Sequence, residues 1–209
     1  MSKVFRDPVS GFTHMGGAIA AIVGTVFLGI HAKGAAATAA AIIFGISMFL
    51  LFGFSATYHL VNGSNRLIQN FRKVDHTMIY IFIAGTYTPL IVAAFSGTMR
   101  IVWLCIIWTI AALGLALKLF FTGRFRTLST ILYIAMGWLC VFAFSQLTAI
   151  LGFWGMFLLI LGGVLYTIGA IIYALKWPGK GKVFGFHEVF HIFVLLGALS
   201  MFFAILFFL

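Results

Sequence analysis

The sequence predicts an all-α integral membrane protein, a single bundle of seven transmembrane helices over residues 1–209 with the N-terminus in the cytoplasm and the C-terminus outside. Three observations carry this. The chain is 64% apolar and 8% charged, whereas soluble domains average about 25% charged residues, so there is too little polar surface to face water all round. The apolar residues fall in runs of about 20, the length that crosses a bilayer core of about 30 Å. Lys and Arg sit between those runs with a strong bias to one side.

The first run, 12–31, follows a polar start of Lys3, Arg6, Asp7 and Pro8. It is too long for the core of a secretory signal, which takes about 7 to 15 apolar residues. The second, 38–60, ends in SATYHL, and a polar connection over 61–74 carries Arg66, Arg72 and Lys73. The third, 75–95, opens on Asp75 and His76 and contains Pro89, where the missing backbone donor predicts a kink. The fourth covers 100–121. A charge-free stretch, 127–175, is too long for one crossing and fits two helices, 128–148 and 153–175, with a turn between 146 and 152. A basic connection rich in Gly and Pro then leads to the seventh helix, 184–209.

With seven spans, eleven of the 13 Lys and Arg lie on the side of the N-terminus and only Lys33 and Arg100 on the other. The positive-inside rule makes the first side cytoplasmic in a multi-pass protein of the cell membrane. The net charge of +10 is therefore a matter of membrane orientation, and nucleic acid is not an expected partner. Cys105 and Cys140 lie inside apolar runs and read as packing residues. Gly162, Gly163 and Gly169 suit close helix contacts in lipid.

The stretch FHEVFH, residues 186–191, holds the chemistry. His187 and His191 are four residues apart, hence on one helix face, where both imidazoles can meet one metal ion. The topology puts His59, Asp75, His76, His187 and His191 at one depth near the cytoplasmic face. Ionisable groups at membrane depth are costly and mark functional sites. Neutral imidazoles from His59, His187 and His191 give Zn²⁺ three protein ligands and leave a fourth position for water. Asp75 then either accepts a hydrogen bond from that water, as general base, or ligates directly. Ser55, one turn from His59 on the same face, can hydrogen-bond a water, a substrate carbonyl or the backbone. His76 points about 100° away from Asp75 and reads as a supporting or interfacial residue. His14 has no partner at ligand spacing and reads as interfacial.

The motifs SATYH with Ser55 and His59, DHTMIYIFIAGTYTP from Asp75, and HEVFH with His187 and His191 together resemble the bacterial hemolysin III family, the prokaryotic branch of the progestin and adipoQ receptor superfamily. The resemblance covers the whole chain. It implies a seven-helix membrane protein holding Zn²⁺ on His59, His187 and His191, with Asp75 and Ser55 close by. It also implies metal-dependent hydrolysis of lipid amides such as ceramides, with membrane lipid as substrate or ligand, and a role in lipid homeostasis.

Two further functions fit the same residues. HEVFH also matches H-E-x-x-H, which would make Glu188 the base of an intramembrane metalloprotease; as an alternative, Glu188 is a carboxylate placed at a helix N-terminus by the macrodipole. A non-enzymatic lipid sensor, receptor or pore with structural zinc is the other. The sequence leaves the substrate, the metal and the oligomeric state open.

Overall fold

Small residues point inward and large apolar ones outward in the first helix, the reverse of a soluble protein. Ala18 and Ala21 are buried while Ile19, Ile22, Val23 and Val26 are exposed. Lipid is as apolar as leucine, so helices here associate through close packing between small residues. The computed structural model describes residues 4–120, 126–179, 181 and 184–209. Lys3, Arg124, Lys180 and Lys182, four of the cations that orient the chain, lie outside them.

The regular structure of the described residues is all helical, without strands. In order it comprises α1 (Pro8–His31), α2 (Ala35–Leu60), α3 (Asn65–Ala94), α4 (Gly97–Phe120), α5 (Arg126–Gly137), a 3₁₀ stretch (Trp138–Ala143), α6 (Phe144–Leu175) and α7 (Phe186–Leu206). Six helical segments are long and apolar enough to cross a membrane, the fifth of them running 48 residues from Leu128 to Leu175. Gly152 interrupts that segment with φ 59° and ψ −168°, a conformation open essentially to glycine alone. The break falls in the 146–152 window expected to hold a turn.

α3 is central, touching α2, α4, α5, α6 and α7, while α7 packs on α6 and closes against α1. Gly162 and Gly169 permit the approach of α6 to α7: a Cβ on Gly162 would sit 2.7 Å from Met201 Cε, and one on Gly169 2.9 Å from Phe193 Cβ. Gly163 makes no such contact and instead lines a cavity. Cys105 is exposed on α4 rather than packed.

Three differences from the expected elements have physical causes. α3 begins at Asn65, not 75, because Ser64 caps it, its Oγ accepting the Leu67 N–H at 3.3 Å. Hydropathy marks where a helix leaves lipid, and the polar turns of α3 continue beyond that point. α1 starts at Pro8, four residues early, with proline in the first turn, where its missing N–H costs nothing. The 3₁₀ stretch after Gly137 has no counterpart among the expected elements. Tyr87 holds it from α3: its hydroxyl donates to Gly137 C=O at 2.7 Å and accepts from Cys140 N–H at 2.7 Å. Irregular backbone at membrane depth needs such partners, since lipid supplies none.

Candidate metal centre

His59, His187 and His191 converge from the end of α2 and the start of α7. One ligand-capable atom from each lies within 4.8 Å of the others. The Nε2 atoms of His59 and His187 are 3.1 Å apart. Two nitrogens bound to one tetrahedral zinc at about 2.0–2.1 Å stand about 3.3 Å apart, so this pair is close to ligand spacing. His59 and His191 are each 2% exposed, and the ring centroids of His187 and His191 lie 4.6 Å apart. Three imidazoles at this spacing, shielded from water, can hold a metal ion.

Asp7 prepares His59 for that role. The Asp7 Oδ2 accepts from His59 Nδ1 at 3.2 Å, and the Asp7 backbone N–H donates to the His59 carbonyl at 2.9 Å. The hydrogen bond with His59, aided by the Arg6 guanidinium 3.0 Å away, holds the Asp7 carboxyl down at about 2 although burial opposes it. An ionised carboxylate only accepts, so the His59 proton sits on Nδ1 and the Nε2 lone pair faces His187. In the sequence Asp7 reads only as part of a polar start. The signal that could single it out is scarcity, since it is one of three acidic residues in the chain.

His14 sits inside the bundle, against the cluster. It is 3% exposed and not interfacial: its ring lies 3.8 Å from that of His191 with 17° between the planes, and Phe52 meets it edge-on at 5.0 Å. Neither His14 nitrogen has a hydrogen-bond partner among the described residues. The depth rule that gathers the other histidines applies to His14 equally, and the lack of i+4 spacing hides it because its partner is on another helix.

Below the histidines lies a cavity of about 310 Å³. Its polar end carries His14, Ser55, Asp75, His76, His187 and His191; from there it continues between Phe82, Tyr87, Leu90, Leu147, Met156 and Leu159. Ser55, 2% exposed, thus opens onto the same space as Asp75. His76 is part of this wall, its Nδ1 3.7 Å from Asp75 Oδ2. Both its nitrogens are engaged, Nδ1–H by the Arg72 carbonyl at 2.7 Å and Nε2 by the Tyr173 hydroxyl at 3.2 Å, so it ties α3 to α6. Glu188 accepts from Gly185 N–H at 2.8 Å and from Ser10 Oγ at 3.1 Å. Its Oε2 caps the N-terminus of α7 and its Oε1 ties that turn to α1.

The sequence profile of the family described as haemolysin-III related matches residues 2–202. Hemolysin-3 of Bacillus cereus is 40% identical over 212 residues, covering 100% of this chain and 94% of that protein. The hemolysin-3 homolog of Bacillus subtilis is 37% identical, covering 100% and 96%. An adiponectin receptor protein of Drosophila melanogaster is 27% identical over 94% of this chain and 49% of its own length.

Proposed function

Because the chain belongs to the haemolysin-III related family of multi-pass membrane proteins, we propose that it is a zinc-dependent hydrolase of lipid amide or ester bonds that serves membrane lipid homeostasis. In this reading seven spans place the histidine cluster near the cytoplasmic leaflet, with the N-terminus inside and the C-terminus outside. The observation that carries the proposal is that His187 and His191, which cluster with His59, stand at the polar end of a largely apolar cavity.

A zinc ion held by the three imidazoles supplies Lewis acidity and a water acidic enough to lose its proton near pH 7. The remaining work belongs to the chain. Asp75 takes the proton from the attacking water and returns it to the amine or alcohol that leaves as the acyl C–N or C–O bond breaks, while Ser55 Oγ donates a hydrogen bond to the carbonyl oxygen as charge grows on it. The apolar walls seat the acyl chain. Along α3 the lining runs from Asp75 to Leu90, about 22 Å at 1.5 Å per residue, which suits a long chain.

Glu188 as protease base has less support, since one of its oxygens is committed to the α7 cap and the other to Ser10 of α1. The test is zinc content with turnover of N-acyl sphingoid, N-acyl ethanolamine and acyl ester substrates by purified protein. One zinc per chain with hydrolysis of an acyl amide or ester is the expected result. Zinc without turnover across these substrates overturns the hydrolase reading in favour of a lipid sensor, and absence of zinc overturns the metal reading itself.

A further inference from the structure

Asp7, Ser10 and His14 are spaced three and four residues apart at the entrance of α1, so they share one face. That face meets the histidine cluster three times. Asp7 holds His59 through its carboxylate and its backbone N–H. Ser10, 1% exposed, donates to Glu188, the residue next to His187 and the one that caps the turn from which His187 projects. His14 lies flat on His191. Each contact fixes a different freedom: where the proton sits on His59, how the first turn of α7 is posed, and which plane His191 occupies.

Asp7 itself shows that this is more than helix capping. It stands at the N-cap of α1, where an aspartate ordinarily turns its side chain onto the helix's free N–H groups. Here the side chain makes no cap hydrogen bond and reaches across to His59 instead. Further along α1 the same inward stripe is apolar, with Ala18, Ala21, Gly24 and Leu28 buried. The fully buried polar side chains of α1, Ser10 and His14, are both in the turns beside the histidines.

We infer that the entrance of α1 is the supporting shell of the metal site, with Asp7 as the positioning residue that sets the tautomer of His59. The inference rests on the metal reading above. A carboxylate on the far nitrogen of a metal-binding histidine orients the ring and raises its basicity, and its loss typically lowers metal affinity about 10- to 100-fold.

The experiment uses the full chain in detergent and measures zinc affinity by competition with a chromogenic chelator. Wild type is compared with Asp7→Asn, Asp7→Glu and Asn62→Ala; Asn62 tethers the same N-terminal segment by a different contact, the Val4 carbonyl at 2.8 Å. Asp7→Asn is expected to weaken zinc at least about tenfold, with an unchanged unfolding temperature in excess chelator. Asp7→Glu, which keeps an ionised acceptor, and Asn62→Ala are expected to stay near wild type. ¹⁵N spectra of the histidine rings add a readout that a purely structural role would not move: zinc-free wild type should show His59 protonated at Nδ1, and Asp7→Asn a mixture of tautomers. Equal zinc affinity for Asp7→Asn and wild type overturns the shell while leaving the metal site standing. An affinity loss matched by Asn62→Ala, or seen only with a fall in zinc-free stability, also overturns it. Failure of wild type to bind zinc removes both readings.

Discussion

The His14 ring lies parallel to that of His191, 3.8 Å away and tilted by 17°. An imidazole nitrogen offers its lone pair in the plane of its own ring, and the stacked His14 ring lies in a different plane from His191. His191 would hold an ion in common with His59 and His187, and His14 in this pose would support that ring rather than ligate. His14→Phe, which keeps a flat ring on His191, is therefore expected to retain one zinc per chain by elemental analysis. His191→Ala removes one of three ligands and is expected to lose stoichiometric zinc. If the two variants lost zinc equally, His14 would be a ligand.

Asp75 and Glu188 are separated by what their oxygens already do. Glu188 is committed to Gly185 N–H and Ser10 Oγ, whereas Asp75 lines the cavity with Ser55. Asp75→Asn is expected to lower turnover about 10²- to 10⁴-fold, the range of a lost general base, with zinc retained. Glu188→Ala is expected to keep the chemistry and cost about 1–2 kcal/mol of stability through the lost cap. Steady-state rates and thermal unfolding of the two variants decide between a lipid hydrolase and a metalloprotease.

The helical, membrane-spanning class and the His187–His191 pair are legible in the sequence because both are written in short-range pattern, and His59 joins the pair through the depth that the apolar runs assign to it. Apolar runs mark crossings, and His187 and His191 are a single turn apart. The partners of those histidines are not legible, because they come from α1, and nothing in local spacing relates residue 7 to residue 59 or residue 14 to residue 191. The interruption at Gly152 has a charge-free stretch of improbable length to announce it. The 3₁₀ stretch has no such signal, since WLCVFA is as apolar as its flanks and its cause is Tyr87 on another helix.

That dependence makes Tyr87 a test of the irregular segment. Tyr87→Phe leaves the ring in place and strips a donor from the Gly137 carbonyl and an acceptor from the Cys140 N–H, where lipid offers no substitute. The Gly137 carbonyl keeps a weak donor in the Cys140 thiol at 3.6 Å, so with about 1–3 kcal/mol for a buried polar group left unpaired the loss should be about 1–3 kcal/mol. The expected result is a lower unfolding temperature in detergent with zinc binding preserved, since Tyr87 lies well down the cavity from the histidines.

Two glycines give opposite signs. A Cβ on Gly85 would overlap the Ser47 side chain, whose hydroxyl is bonded to the Phe44 carbonyl, so α2 and α3 would have to part. Gly85→Ala is expected to destabilise by about 1–3 kcal/mol. Gly53, inside α2, has nothing within 4 Å of the point a Cβ would occupy. Gly53→Ala should stabilise by about 0.5–1 kcal/mol through helix propensity alone. Chemical or thermal unfolding of the pair in one detergent checks both.

The number of crossings turns on the segment Leu128–Leu175. As one straight helix its 48 residues would extend about 72 Å, more than twice the roughly 30 Å of a hydrocarbon core. If the chain reverses near Gly152, it would cross twice, the total would become seven, and the termini would lie on opposite sides of the membrane. The basic residues agree with this arrangement, since only Lys33 and Arg100 then fall outside. The reporter test is direct. A fluorescent protein that folds only in the cytoplasm, fused after Leu209, should stay dark, and alkaline phosphatase fused at the same point should be active. The opposite pattern would mean an even number of crossings and would overturn the proposed placement of the histidine cluster near the cytoplasmic leaflet.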